Sequence, residues 1–443
     1  MSKARRLLVS GLLAVAAFAE IHAAAAQSPS ATFPRLGGYL ISGSVQSNFG
    51  TSSYQQQVAK LGVAVIGTYP GWSSGGFNMQ SAAAAVKAIN PNIKLLPYTN
   101  LMELEPGVSS SGSAYSPIYV AAIAANWFLR TSWPGGGITD ADGLSQLGLN
   151  QTTSTNAVAG KNYLQWRATW TAASEFASGW DGIYLDNVFY QPRVSADYSQ
   201  SGGSQSPSAA AQNWRNGYVA YVGYLRAALP ANSQVWGNVA DWADGSISGY
   251  NQLLDGGVIE SIIGQSYSYE SQGWAAMMNA YKIVMNATKP GGYQIFSQDG
   301  TASDYQGMRY GLTSCLLDNA YYYVNVNNST IAWFDEFNSN LGAPAAGPTG
   351  SATATYSNGG LTVYQNGVWR RDFVNGIVLV NPKGNGTQTV TLETSYKHLS
   401  GTQVPTVNNG QSVTTVTLSD RDGVILQRLT SQAVPDAPSL TVQ

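Results

Sequence analysis

From residue 35 to residue 326 the chain alternates between short apolar runs and stretches of helical periodicity. The runs are Arg35 to Gly43, Val63 to Trp72, Ile93 to Leu101, Asp181 to Val188, Gln234 to Trp242, Gly257 to Gln265, Tyr293 to Asp299 and Ala320 to Val326. They are rich in Val, Ile and aromatic residues and predict eight strands. Between them Trp214, Tyr218, Tyr221, Val222, Leu225 and Leu229 recur at helical spacing, as do Met308, Leu312, Cys315 and Leu316. Gln80 to Ile89, Gly160 to Ser178 and Ser271 to Asn286 predict further helices. Near-continuous apolar strands separated by helices predict a parallel sheet with a helical cover. Eight such repeats in about 300 residues predict a (β/α)8 barrel. No GxGxxG follows the first strand and no Walker-type loop is present, which argues against a nucleotide fold.

The pattern changes after Phe337. GAPAAGPTG, at 342–350, reads as the core of a linker over 342–355. Beyond it GIVLVNP, TQTVTLET, SVTTVTLSD and DGVIL alternate with period two, with turn residues between them. This predicts a small C-terminal antiparallel β-sandwich over 356–430, with 431–443 as a tail. The barrel is expected over 27–341. Before it, Lys3, Arg5 and Arg6 precede an apolar stretch from Leu7 to Ala19, and Ala24-Ala25-Ala26 precede Gln27. Residues 1–26 therefore read as a signal peptide, and the expected location is secreted or periplasmic.

Composition narrows the chemistry. Only 10% of residues are charged, and Lys+Arg 22 against Asp+Glu 24 gives a formal charge of -2. That balance carries no electrostatic footprint for nucleic acid or an anionic membrane. No run beyond the leader is long enough for membrane insertion. The two histidines, His22 and His398, and the single Cys315 make a zinc site unexpected and an intrachain disulfide impossible. No metal and no cofactor are expected. Cys315 reads as a buried small hydrophobe and His398 as a surface residue of the sandwich. Acid–base work near neutral pH falls to carboxylates.

Catalytic groups of a parallel barrel lie at the C-terminal ends of strands. Asp186 closes GIYLD on the fourth strand, and alternation puts it on the same side as Tyr184, with Ile183 and Leu185 toward the helices. Glu260 closes GGVIE on the sixth strand, a costly place for a carboxylate without a task. Asp299 ends the seventh strand, where its rival reading is an Asp-Gly turn. Asp241 and Asp244 follow the fifth strand. Asp335 and Glu336 follow the eighth and read as a helix N-terminus, Asp181 as a turn at the opposite barrel end, and Glu103 and Glu105 as a solvated loop. Two carboxylates facing one cleft are what glycoside hydrolysis requires. Tyr69, Trp72, Tyr98, Trp242, Tyr267 and Trp274 lie on or after the strands and offer faces to a sugar ring. Asn100, Asn187, Asn238, Gln298 and Asp299 offer hydrogen bonds to its hydroxyls. The expected partner is a poly- or oligosaccharide.

WDGIYLDNV, from Trp180 to Val188, resembles the fourth-strand motif of secreted glycosidase-like barrels. Among these are the endo-α-1,4-polygalactosaminidases and hypothetical glycosyl hydrolase family 15. GGVIES, WFDEF, WRRDFVNGIVLVNP and DRDGVIL are most similar to the second group. The resemblance covers about residues 35 to 430. It implies a barrel with a C-terminal β-sandwich and an α-glycosidase-type site. In that site the Asp ending strand four is the nucleophile and a carboxylate ending strand six is the acid/base. On matching positions these are Asp186 and Glu260, although some relatives carry Asp on strand six. A retaining glycoside hydrolase is the expected function. A non-catalytic carbohydrate-binding protein and a structural protein of the cell envelope are the alternatives.

Overall fold

The computed structural model describes residues 32–109, 112–132, 135–139, 147–150, 156–191, 207–238, 242–243, 249–345 and 364–429. The leader, the later part of the linker, the tail, and both Asp241 and Asp244 lie outside the described residues. Eight parallel strands follow one another around a barrel. They are β1 (Gly37–Leu40), β2 (Val63–Ile66), β3 (Lys94–Asn100), β4 (Gly182–Asp186), β5 (Gln234–Asn238), β6 (Gly256–Ile263), β7 (Tyr293–Asp299) and β8 (Tyr321–Asn325). A parallel bridge between Leu36 and Tyr322 closes the ring, with Tyr322 N donating to Arg35 O at 2.8 Å.

Side-chain alternation sorts the strands into two apolar sets. Tyr39, Tyr184, Trp236, Val258, Ile295, Tyr321 and Tyr323 share a cluster inside the barrel. Ile183, Leu185, Val235, Ile259, Phe296, Tyr322 and Val324 join the cluster formed with the outer helices. Rings fill the interior: Tyr39 meets Tyr184 at 5.5 Å, and Trp236, Tyr293 and Tyr321 stack in sequence near the floor. The interior is therefore a packed core and not a pore, and in barrels of this kind catalytic groups gather at the C-terminal mouth.

The cover consists of α1 (Gly43–Asn48), α2 (Ser52–Val58), α3 (Met79–Ile89), α4 (Ser116–Ala125), α5 (Tyr163–Ser174), α6 (Pro207–Ala228), α7 (Trp274–Ala287) and α8 (Tyr305–Cys315). Caps set where the helices start. Asn78 and Asn162 form reciprocal capping boxes at α3 and α5, and the Asp304 side chain accepts from Gly307 N at α8. Trp214, Tyr218, Tyr221, Val222 and Leu225 are buried along α6. Cys315 is buried on α8, and burial pushes its thiol pKa up, so it packs as a hydrophobe.

The C-terminal strands are β9 (Trp369–Phe373), β10 (Gly376–Asn381), β11 (Gln388–His398), β12 (Ser412–Leu418) and β13 (Asp422–Arg428). They bond in the order β9-β10-β13-β11-β12, all antiparallel. The first half of β11 pairs with β12 and its end pairs with β13, across a register shift between Thr391 and Tyr396. Ile377, Leu379, Val390, Val416 and Leu426 form the core between the two halves of this sheet. The linker expected over 342–355 begins instead as sheet. Pro344 and Ala345 pair with Phe373 and Asp372, because extended Pro fits a sheet edge.

This domain is bolted to the barrel by buried polar contacts. Arg309 of α8 makes a two-pronged contact to Asp422, with Nε and Nη2 each 3.0 Å from a carboxylate oxygen. Arg371 donates to the carbonyls of Leu316 and Asp318 and to Asn319 Oδ1. Asp335 accepts from Thr402 N and Gln403 N, and Glu336 from Asn408 Nδ2. The two acids therefore open a single 3-10 turn, Asp335–Asn338, and use it to anchor the second domain. Asp181, at the barrel floor, pairs with Lys87 and Lys94 and is structural.

Candidate active site

Asp186 is the last residue of β4, and inward parity with Tyr184 points its carboxylate into the mouth. Donors from three neighbouring residues are among those that hold it. The Tyr98 hydroxyl lies 2.6 Å from Oδ2, while Asn187 N at 2.9 Å and Asn238 Nδ2 at 3.2 Å both reach Oδ1. Asn187 can turn its own amide back because it adopts φ 54, a conformation Asn tolerates better than most residues. Tyr218 fixes the next link by donating to Asn187 O at 2.6 Å.

Glu260 lies where β6 leaves regular pairing. Register with β7 slips between Ile259 and Ile263, and Ser261 takes φ 50. Left-handed backbone at a serine costs of order 1–3 kcal/mol, and bulges of this kind re-aim a side chain next to functional sites. The odd sequence, a carboxylate followed by Ser-Ile-Ile, thus encodes a bulge. It turns Glu260 into the mouth and returns Ile262 and Ile263 to the core.

One amide joins the two acids. Asn238, at the end of β5, places Nδ2 2.7 Å from Glu260 Oε2 as well as 3.2 Å from Asp186 Oδ1. Only the nitrogen of an Asn side chain can face two carboxylate acceptors. The two oxygens sharing that donor lie no more than about 6 Å apart, so the two carboxyl groups meet at one point of the barrel mouth. Burial, then repulsion from the Asp186 charge, raises the Glu260 pKa from 4.5 to about 7, against the lowering effect of the Asn238 bond. Tyr39, Tyr98 and Tyr184 stay protonated for the same two reasons, burial first and the Asp186 charge second.

Asp299 ends β7 on the inward parity. Gln265 Nε2 and Asn325 Nδ2 each donate to it at 2.8 Å, so it belongs to the rim, and its charge also acts on Glu260. Glu103 departs from expectation. It is buried, at 5% exposure, and its Oε2 accepts from Asn187 Nδ2 at 3.1 Å and Asn100 Nδ2 at 3.3 Å. This acid is part of the site's wall, not a solvated loop. The signal available was its place just past β3, flanked by Leu101, Met102 and Leu104, all buried.

The remaining expected residues divide. Tyr98, Asn187 and Asn238 meet at Asp186, and Asn100 joins through Glu103. Tyr69 lies half-buried beyond β2, against the cluster that holds the barrel interior. Trp72 is corrected to a core residue. It is 1% exposed, packs on Phe49 and donates Nε1 to Gln46 O, so no face remains for a sugar. Gln298 is corrected likewise: at 2% exposure its Oε1 accepts from Tyr322 OH among the outer helices. Alternation requires this, since Gln298 and Asp299 are neighbours and only one can face the mouth. Trp242 and Trp274 are also buried, whereas Tyr267 is 72% exposed. Among the described residues no group of three or more His, Cys, Asp or Glu side chains could hold a metal ion.

Comparison with known proteins places these residues in a family. Among solved structures, the α-amylase from Geobacillus thermoleovorans complexed with acarbose aligns with a TM-score of 0.46 at 9% identity, over 87% of this chain and 92% of its own. An Anoxybacillus α-amylase aligns with 0.44 at 9% identity, over 88% and 91%. A GH27 β-L-arabinopyranosidase from Geobacillus stearothermophilus, in complex with arabinose, aligns with 0.44 at 8% identity, over 90% and 97%. No curated protein matches the chain. The sequence model of hypothetical glycosyl hydrolase family 15 matches residues 87–377, a span that holds Asp186, Asn238 and Glu260, and the chain belongs to that family.

Proposed function

We propose that the protein is an exported retaining glycoside hydrolase acting on an α-linked poly- or oligosaccharide. Asp186 serves as nucleophile and Glu260 as acid/base. The observation that carries this reading is the Asn238 amide shared by the two carboxylates, which keeps them close enough for double displacement. In the first step an Asp186 oxygen bonds to the anomeric carbon as the glycosidic C–O bond breaks. Glu260 transfers its proton to the departing oxygen. With Oε2 accepting from Asn238, the proton resides on Oε1. In the second step Glu260 takes a proton from water, whose oxygen bonds to the anomeric carbon and releases Asp186 as carboxylate. Tyr98 and the Asn187 amide hold Asp186 in place throughout. Export rests on the leader sequence, and the α configuration on the family resemblance.

A screen of polysaccharides and aryl glycosides on wild type, Asp186→Asn and Glu260→Gln tests the proposal. Both variants are expected to lose turnover while staying folded. Proton NMR of the first product is expected to show the anomer of the substrate. Activity intact in both variants, or an inverted first anomer, would overturn the mechanism. Saccharide binding without turnover in wild type would leave a binding protein. Appearance of the mature N-terminus near Gln27 in secreted protein, read by mass spectrometry, tests export.

A further inference from the structure

Past Glu260 the chain makes a short loop to α7. Gly264 takes φ 105 and its α-carbon lies against the Asp299 backbone, where a Cβ would meet Asp299 O at 2.3 Å. Gln265 then reaches Asp299 Oδ2 at 2.8 Å, and the Ser268 hydroxyl donates to Ser261 O at 2.5 Å while accepting from Gln265 N. Tyr267 stands on this pinned loop. Its hydroxyl lies 3.4 Å from Ser261 Oγ, beside the acid, while the residue as a whole is 72% exposed. Of the six aromatic residues expected at the strand exits, it alone is largely exposed. The loop is tied at both ends, so the ring is displayed at low entropic cost.

We infer that Tyr267, anchored at the β6 bulge next to Glu260 with its ring exposed, is the platform for the sugar on the leaving-group side of the scissile bond. The inference rests on the proposed roles of Asp186 and Glu260. The nucleophile attacks from one side of the anomeric carbon and the acid protonates the departing oxygen on the other. A residue just past the acid therefore meets the departing sugar, not the one being transferred. An aromatic face there selects substrates whose leaving group is itself a sugar, a chain of at least two residues. Aromatic contacts of this kind are worth about tenfold in affinity.

The test compares wild type, Tyr267→Ala and Tyr267→Phe on two substrates with the same transferred sugar. The first is the hexasaccharide cleaved best among maltohexaose, isomaltohexaose and an α-1,4-galactosamine hexamer. The second is the corresponding glycosyl fluoride, whose leaving group has no ring to stack. The ratio of kcat/KM for hexasaccharide over fluoride is expected to fall about tenfold in Tyr267→Ala and to recover in Tyr267→Phe. An unchanged ratio, whether both rates fall together or neither does, overturns the platform. Calorimetric titration of the same hexasaccharides into Asp186→Asn, with and without Tyr267→Ala, reads binding independently of turnover. If wild type cleaves none of the three and nothing in the broader screen of polysaccharides and aryl glycosides, the hydrolase reading fails. The platform then stands only if one of them binds and Tyr267→Ala weakens that binding about tenfold. Absence of binding, or binding indifferent to Tyr267, overturns it.

Discussion

Replacing Asp186 by Asn removes one charge from the site with little change of shape. Oδ1 keeps its donors from Asn187 and Asn238, and the new amide nitrogen faces the Tyr98 hydroxyl, which can accept. What changes is the repulsion felt by Glu260. Two unit charges about 6 Å apart at an effective dielectric of about 20 repel by about 2.8 kcal/mol. One pH unit corresponds to about 1.4 kcal/mol, so the Glu260 titration midpoint is expected to move down by as much as about two units. It will not reach the ordinary carboxylate value, because burial, the larger cause of its rise to about 7, is untouched. The assay is the carboxyl carbon shift of Glu260 against pH in [5-13C]glutamate-labelled protein, assigned by its absence in Glu260→Gln. A midpoint in Asp186→Asn equal to or above that of wild type would refute the arrangement, since the two carboxylates would then not sense each other.

Three further outcomes follow from the same contacts. Tyr98→Phe keeps the ring stacked on Tyr184 but deletes the 2.6 Å bond to Asp186; kcat/KM is expected to fall about ten- to hundredfold with thermal stability nearly unchanged, and a large loss of stability would contradict this. Glu260 is protonated on folding, so the stability it withholds grows as pH rises from about 4.5 to about 7; Glu260→Gln is therefore expected to be more stable than wild type by up to about 3 kcal/mol at pH 8 and equal to it at pH 4, by urea denaturation at the two pH values. Arg309→Ala strands Asp422 as a buried carboxylate between the domains and is expected to cost about 3–5 kcal/mol in the same assay, a loss below about 1 kcal/mol counting against a buttressing role.

The barrel was legible because its strands are buried on both sides and its helices on one, which leaves apolar runs and periodic stripes in the sequence. Asp186 was legible from alternation alone, with Ile183 and Leu185 claimed by the helices. Gln298 shows the same rule unused: fixing Asp299 toward the mouth excludes its neighbour. Trp72, Trp242 and Trp274 were beyond composition, because a tryptophan after a strand either plugs the loop or faces the cleft, and tertiary packing decides. Glu103 and the bridging role of Asn238 depend on strands far apart in sequence meeting at one rim, which no local pattern encodes. The Glu260 bulge left a trace, an acid inside an apolar run, whose meaning is geometric.

The two larger causes of the upward Glu260 shift differ in how long they last in the proposed turnover. Burial by the barrel walls persists, whereas repulsion from Asp186 exists only while Asp186 is charged. In the proposed first step both act, and Glu260 holds a proton to give. Once Asp186 is esterified to the sugar it is neutral, and the repulsion vanishes. The Asn238 amide, 2.7 Å from Oε2 in the resting geometry, then favours the ionised form with only the smaller Asp299 effect and burial opposing it. Under the proposed mechanism Glu260 is therefore driven toward the carboxylate at the step that needs a base. Asp186→Asn is the resting-state analogue of that neutral ester, so the drop in its Glu260 midpoint measures how far this exchange of roles is driven by charge alone.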